Sequence, residues 1–255
     1  MSDTTLATVS SFFGAVGGRL AMVDGECLTH GPASVLVRSG AAWHCPACLE
    51  VEMASEARSM WLADRNATLM QAAHIPLKYI GQRFIATTPA QKHVRAQVRI
   101  FRDFILQERV WATLIMVGIT GTGKTLLACE FGQSLIANAS RSVRYITAAG
   151  MISEIQASYG REGKTEEGEI LRFVQYDVLI LDEIDAIRST ENANLLLTEI
   201  INRRYNEAKP VVVISNQPFD TLSKYVGERV YSRLHENAFT CAFTWGDMRR
   251  AAVAP

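Results

Sequence analysis

Eight consecutive residues, Gly118-Ile119-Thr120-Gly121-Thr122-Gly123-Lys124-Thr125, fit the pattern G-x-x-x-x-G-K-[ST] in full. Such a loop binds phosphate. Its glycines let backbone N–H groups close around phosphate oxygens, and a following helix adds the partial positive charge of its N-terminus. Lys124 would reach the β- and γ-phosphates of ATP, and Thr125 would place its hydroxyl on Mg²⁺. Val178-Leu179-Ile180-Leu181-Asp182-Glu183 reads as a buried strand running into two acids. Asp182 would hold Mg²⁺ through water, and Glu183 would act as general base on the attacking water. Adjacent strand residues face opposite ways, so both acids can serve one site only if the strand stops there and the chain turns. Val211–Ser215 is another buried strand, and Asn216 after it would orient the water or bond the γ-phosphate. Arg229 and Arg233 stand four apart, on one helical face. Their guanidinium groups suit the charge that builds on a γ-phosphoryl group in the transition state, and one of them would come from a neighbouring subunit if the site lies between copies.

A second chemistry lies near the N-terminus. Three of the five cysteines fall inside 22 residues, and an odd count argues against a disulfide framework. Cys27-Leu28-Thr29-His30, fourteen residues, then Cys45-Pro46-Ala47-Cys48 make C-x2-H and C-x2-C. Two such pairs suit tetrahedral Zn²⁺, with Cys27, His30, Cys45 and Cys48 as ligands and His44 competing for the place of His30. A thioredoxin-like redox site is disfavoured, because no βαβ pattern surrounds the Cys-x-x-Cys. The segment Pro32–Trp43 reads as a hairpin, with Ser34–Arg38 returning through Ser39-Gly40 to Ala41–Trp43. Too little apolar material lies in residues 1–48 to fold unaided, so a metal would supply folding energy. Trp43 would either cover the metal or stack on a nucleic-acid base.

The elements that must position these groups follow from periodicity. From residue 113 onward, apolar strands at 113–117, 143–147, 177–181, 211–215 and 239–244 alternate with helices at 124–138, 148–159, 167–174, 191–207 and 222–235. That alternation predicts an α/β fold with a parallel sheet flanked by helices. Residues 49–72 read as a helix with Leu49, Met53, Ala57, Met60 and Trp61 on one side. Residues 73–90 carry two prolines and little periodicity, and read as a connector. A boundary near residue 72 divides an N-terminal zinc module with its linker helix (1–72) from the ATPase domain (73–255). The 255 residues match one large domain plus a small module. The 26 basic and 26 acidic residues cancel, which excludes a globally basic nucleic-acid coat. The balance is uneven along the chain. Residues 1–72 hold four basic and seven acidic residues, whereas residues 73–112 hold seven basic and two acidic. In the stretch 91–109, Val94, Val98, Phe101 and Ile105 recur at helical spacing, so its lysine and arginines form either a solvated face or a phosphate-backbone contact. No apolar run is long enough to span a bilayer, and the start Met1-Ser2-Asp3 lacks the basic residues of a signal peptide. The expected compartment is the cytoplasm.

In order, the phosphate loop, Leu181-Asp182-Glu183-Ile184, Ile214-Ser215-Asn216 and Gly227-Glu228-Arg229-Val230-Tyr231-Ser232-Arg233-Leu234 resemble the AAA+ ATPases of the DnaC helicase-loader and IstB transposition-helper group. The likeness extends back to Ile75-Pro76-Leu77-Lys78-Tyr79. It runs forward through Asn237-Ala238-Phe239 to Phe243-Thr244-Trp245-Gly246-Asp247-Met248-Arg249, covering roughly residues 73–255. It implies that Arg229 is the trans-acting arginine, with Arg233 able to exchange roles with it. It also implies a homo-oligomer through the ATP sites, action on single-stranded DNA, and a hexameric, DnaB-like replicative helicase as partner; a close relative of the same fold serves a transposase instead. His30-Gly31 and Cys45-Pro46 look like the metal-binding segment of phage-type loaders. Other relatives have no N-terminal metal module, so the way they hold their partner does not carry over.

Overall fold

The computed structural model describes residues 20–38, 42–108, 110–160, 163–187 and 190–251. They fall into two compact units, Met1–Asp64 and Arg65–Pro255. The first holds β1 (Leu20–Cys27) and β2 (Gly31–Arg38), and side chains alternate between half-buried and exposed over 21–27 and 31–37, the period-two pattern of a one-sided ribbon. The two strands pair antiparallel, from Leu20↔Arg38 to Cys27↔Gly31. This corrects the expected hairpin. Residues 34–38 belong to its second strand and pair backwards with 20–24, and Ala42–Trp43 carries no strand. Ser39 and Gly40, where the turn was expected, and Ala41, expected in the returning strand, lie outside the described residues. The alternation in Ala21-Met22-Val23-Asp24-Gly25-Glu26 was the signal for the missing strand. Helix α1 (Pro46–Ala72) begins three residues earlier than expected, with proline in the first turn, where its missing N–H costs nothing. None of its side chains is buried, and Leu49, Val51, Met53, Met60 and Trp61 stand exposed.

In the second unit, Thr88 opens α2 (Pro89–Gln107) with a reciprocal cap. Its hydroxyl accepts from the Gln91 N–H, and the Gln91 side chain accepts from the Thr88 N–H. There follow β3 (Thr113–Gly118), α3 (Lys124–Ala139), β4 (Val143–Thr147), α4 (Ala148–Gln156), α5 (Glu166–Gln175) and β5 (Val178–Asp182). Then come α6 (Glu191–Asn206), β6 (Val211–Ser215), α7 (Ser223–Val226), α8 (Glu228–His235), β7 (Ala238–Phe243) and α9 (Met248–Ala251). The five strands form one parallel sheet in the order β4-β5-β6-β3-β7. The continuous apolar runs have a plain cause, since the sheet is covered on both faces. Leu114, Met116, Ile180, Val212 and Ile214 share one core with Val94, Val98 and Phe101 of α2 and Leu127, Phe131 and Leu135 of α3. Ile115, Val117, Leu179, Leu181, Val211 and Val213 point into the other, against α4, α5, α6 and α8.

The helix expected over 222–235 is two helices. Gly227 (φ 80, ψ 155) breaks it and becomes the N-cap of α8, which carries both arginines. Buried Arg204 of α6 ties the base of the sheet together. Its guanidinium donates to the carbonyls of Phe173, Val174, Tyr176, Asp177 and Pro210 at 2.8–3.3 Å, joining the end of α5 to the starts of β5 and β6. Among the described residues, no helix is long and apolar enough to cross a membrane.

Candidate nucleotide site and thiol cluster

The phosphate-loop motif spans the end of β3 and the start of α3, beside the C-terminal ends of β5 and β6. In a parallel sheet that is where ligands bind. Gly118 is the last residue of β3, and a Cβ there would come within 2.4 Å of the Phe243 carbonyl oxygen. Gly121 (φ 87) leaves room for the Asp247 carboxylate, 2.2 Å from where a Cβ would stand. Gly123 is the N-cap of α3. Lys124 is buried, and its ammonium donates to the carbonyls of Gly118 at 2.5 Å and Ile119 at 2.8 Å. Burial pulls its pKa below the ordinary lysine value, while the charges of Asp182 and Asp185 act the other way.

Asp182 is the focus of the acidic side. Thr125 Oγ1 and the Tyr145 hydroxyl both donate to its Oδ2 at 2.8 Å, and its Oδ1 accepts the Glu183 N–H at 2.8 Å. Burial, then the Asp182 charge, push the Tyr145 phenol well above its usual range, so it is a committed donor. β5 ends at Asp182, and Glu183 takes the left-handed conformation (φ 53, ψ 44) before a 3₁₀ turn at Ile184–Ala186. That is the turn that two adjacent acids need in order to share a site. Asn216 lies just past β6, and its N–H donates to Asp185 Oδ1 at 3.1 Å. Lys124, Thr125, Asp182, Glu183 and Asn216 line one cleft of about 330 Å³ with Tyr79, Met248 and Arg249. The donors suit Mg²⁺: a carboxylate and a hydroxyl oxygen side by side, with the cleft open for water and phosphate oxygens.

Arg229 and Arg233 are not in this cleft. They line a separate surface recess with Tyr205 and Glu236. Their environments differ. Arg229 is exposed and has no ion pair among the described residues. Arg233 donates to Asn202 Oδ1 and lies over the Tyr205 ring at 5.2 Å, while its backbone carbonyl accepts the Trp111 indole N–H at 2.8 Å. Sequence reasoning missed Tyr145, Asp185, Asp247 and Arg249. None carried a usable local signal, and Tyr145 shows why. It pairs with Ile180, two residues before Asp182 on the same face of the sheet, but that requires the strand register.

In the N-terminal unit, Cys27, His30, Cys45 and Cys48 converge, with all four ligand atoms within 4.8 Å of one another. Cys27 Sγ lies 3.7 Å from Cys48 Sγ, and His30 Nδ1 lies 3.7, 3.6 and 3.4 Å from the sulfurs of Cys27, Cys45 and Cys48. A tetrahedral ion with Zn–S of about 2.3 Å and Zn–N of about 2.0 Å requires edges of about 3.5–3.8 Å, so the cluster is compatible with zinc. The Thr29 N–H, then the His30 backbone and side chain, hold the Cys27 thiol down at about 6. His44 is exposed and stands outside the cluster. Cys129 and Cys241 are buried, and burial pushes both thiols up to about 12. Trp43 lies against Gly25 of β1 and donates its indole N–H to the Ala33 carbonyl of β2 at 3.0 Å, so it roofs the hairpin.

The sheet order, phosphate loop and acidic strand end define an AAA+ P-loop ATPase fold. The chain belongs to the family of IstB-like ATP binding proteins, whose model matches residues 87–233. It is 28% identical over 139 residues to the replicative helicase loader DnaC of Escherichia coli (strain K12), covering 54% of this chain and 56% of that one. The chain thus spans about half the length of the curated relatives it matches. A crystal structure of the DnaC helicase loader superposes with a TM-score of 0.57 at 19% identity, over 66% of this chain and 99% of that one. A replication initiator DnaA bound to AMPPCP and single-stranded DNA gives 0.55 at 18%, over 66% and 50%. At these identities the structural likenesses establish the fold.

Proposed function

We propose that this chain is an ATP-hydrolysing loader that delivers a hexameric replicative helicase onto single-stranded DNA, with hydrolysis timing release. The observation that carries it is the cleft where Lys124, Thr125, Asp182, Glu183 and Asn216 meet while both candidate arginines lie elsewhere. Arg249 is the arginine that lines the cleft from within the chain, and in this reading a second copy supplies the transition-state arginine, which would tie hydrolysis to assembly. The similarity to DnaC supports the helicase as partner.

In this reading Lys124 leaves the loop carbonyls for the β- and γ-phosphates. Thr125, with Asp182 acting through water, would hold Mg²⁺, which would offset charge on the phosphate oxygens. Glu183 takes a proton from water as the water oxygen bonds the γ-phosphorus. The bond from that phosphorus to the bridging oxygen breaks, and ADP and phosphate leave. Asn216 holds the water in line, and Arg229 of a neighbouring copy stabilises the charge on the transferring group. Residues 1–72 serve as a zinc-binding module with its linker helix, and 73–255 as the ATPase domain. The zinc pattern alone fits a phage or prophage origin, and the cytoplasm is the compartment of this reading.

The test is to mix the purified chain with the host replicative helicase, with ATP and with ADP, and to measure the native mass. A defined complex that changes with nucleotide is expected. If neither state gives a complex while DNA-stimulated ATPase persists, the loader reading fails. The second reading, an ATP-dependent DNA-binding helper of a transposase, then takes its place; the family match favours it as directly.

A further inference from the structure

The overall charge of zero conceals one strongly basic face, and the nucleotide site does not use it. On α2, Lys92, Arg95, Arg99 and Arg102 fall at i, i+3, i+7 and i+10, a single line about 15 Å long. Two adjoining recesses run along it. One, of about 470 Å³, is bounded by Arg83, Ile85, Lys92, Arg95 and Arg99. The other, of about 120 Å³, lies between α2 and α3, with Val98, Leu127 and Phe131 as floor and Arg95, Arg99 and Arg102 at the rim. They share Arg95 and Arg99, so the cations border one continuous groove.

These cations fall into two kinds. Arg95 is tied down, donating to the Phe84 carbonyl and pairing with Glu130 at 3.0 Å, and Arg102 pairs with Asp103 at 2.7 Å. Arg83, Lys92 and Arg99 are exposed and have no acidic partner among the described residues. The groove therefore holds three free positive charges, two of them on a helix that packing has already fixed, since Val94 and Phe101 of α2 are buried in the core.

We infer that this groove is a binding surface for the phosphate backbone of a single nucleic-acid strand. Protein interfaces are depleted in charge at their centre and anchored by large apolar side chains. Here Val98, Leu127 and Phe131 are buried beneath the cations, and Ile85 is the one large apolar side chain exposed along the lining, beside the small Ala86 and Ala96. A row of exposed guanidinium and ammonium groups matches phosphates, which need charge and bidentate donors but no apolar anchor. A groove with one line of cations admits one backbone. This inference rests on the proposed action on single-stranded DNA and locates it on the helix before the ATPase sheet, away from the nucleotide cleft.

The experiment measures binding of a fluorescein-labelled oligothymidylate to the full-length chain by anisotropy, across about 50–200 mM salt. The variants are Arg99→Glu and the triple change Arg83→Ala, Lys92→Ala, Arg99→Ala. A charge-matched control, Lys224→Glu, lies at an exposed position of α7. Fluorescent ATP-analogue binding checks that each variant is folded. The triple variant is expected to bind at least about tenfold more weakly, with the slope of log affinity against log salt reduced by about 2, since each single-strand phosphate contact contributes about 0.7. Arg99→Glu should lose binding while Lys224→Glu keeps it. Wild-type binding that neither groove variant changes overturns the groove alone. No binding by the wild type overturns the proposed DNA partner and the groove with it. Displacement by polyglutamate at equal charge concentration, as effective as by unlabelled oligothymidylate, assigns the surface to acidic protein and overturns the nucleic-acid inference.

Discussion

Asp182 Oδ2 accepts two hydrogen bonds, from Thr125 and from Tyr145, and the second has no counterpart in the phosphate-loop motif. Removing the Tyr145 hydroxyl leaves the ring and its packing in place but frees the carboxylate to rotate. Tyr145→Phe should therefore weaken Mg²⁺-dependent nucleotide affinity about fivefold, the equivalent of one hydrogen bond of about 1 kcal/mol. Nucleotide binding without Mg²⁺ should not change. Titrating a fluorescent ATP analogue with Mg²⁺ checks both, and equal Mg²⁺ midpoints in variant and wild type would show that Tyr145 does not position Asp182. The motif residues were legible because phosphate chemistry demands particular types at particular spacings. Tyr145 was not, because it meets Asp182 through strand register and not through sequence distance.

Among the elements, the sheet reads well and its fastening does not. The apolar runs announce five strands, of which β3, β5 and β6 are buried and the edge strand β7 is half-exposed, but nothing local marks Arg204 as the link between α5, β5 and β6. Its neighbour Arg203 looks the same in sequence, yet pairs at the surface with Glu167 and Glu199. Arg204→Met should leave five carbonyls without their donor and cost about 3 kcal/mol or more, read as a lower midpoint in urea with an unchanged slope. Arg203→Met should cost less than about 1 kcal/mol. Equal losses at the two positions would refute the distinction. The N-terminal hairpin makes the same point from the other side. Its first strand escaped notice because Leu20–Val23 is apolar on both faces and only Asp24 and Glu26 mark the exposed side, and Trp43, which offers two functions in sequence, is spent on roofing Gly25 and Ala33. If the thiol cluster holds zinc, elemental analysis should find one zinc per chain, and Cys45→Ser should abolish it. Nucleotide binding should survive, because the cleft lies wholly within residues 79–249. A metal-free wild type would refute the zinc reading.

For the whole molecule, the decisive question is where the arginine comes from. Both arginines sit on α8, but Arg233 is occupied by Asn202 and Tyr205, whereas Arg229 is exposed. This favours Arg229 as the group presented to a neighbour. Arg229→Ala should lower ATP turnover about 10³-fold or more, as loss of an arginine finger does, and Glu183→Gln should abolish it with ATP binding intact. Mixing these two inactive variants should restore activity, because an Arg229→Ala copy keeps its Glu183 and can borrow Arg229 from a Glu183→Gln neighbour. A mixture as inactive as its parts would place Arg229 in its own subunit's chemistry or in none.

By itself, the sequence determined the chemistry that short spacings can encode. These are the phosphate loop, the acids at a strand end, the paired zinc-type ligands and a parallel α/β fold, since each depends on residues a few positions apart or on the period of one element. Tertiary structure decided what depends on distant segments meeting. It turned the chain at Glu183 so that two adjacent acids face one cleft, brought Tyr145 to Asp182 across 37 residues, and left Arg229 exposed while occupying Arg233. It also set Lys92, Arg95 and Arg99 of α2 beside Arg83 as the rim of one groove. A side chain's type is written locally, but its partners are set by strand register and helix packing, which only the folded chain specifies.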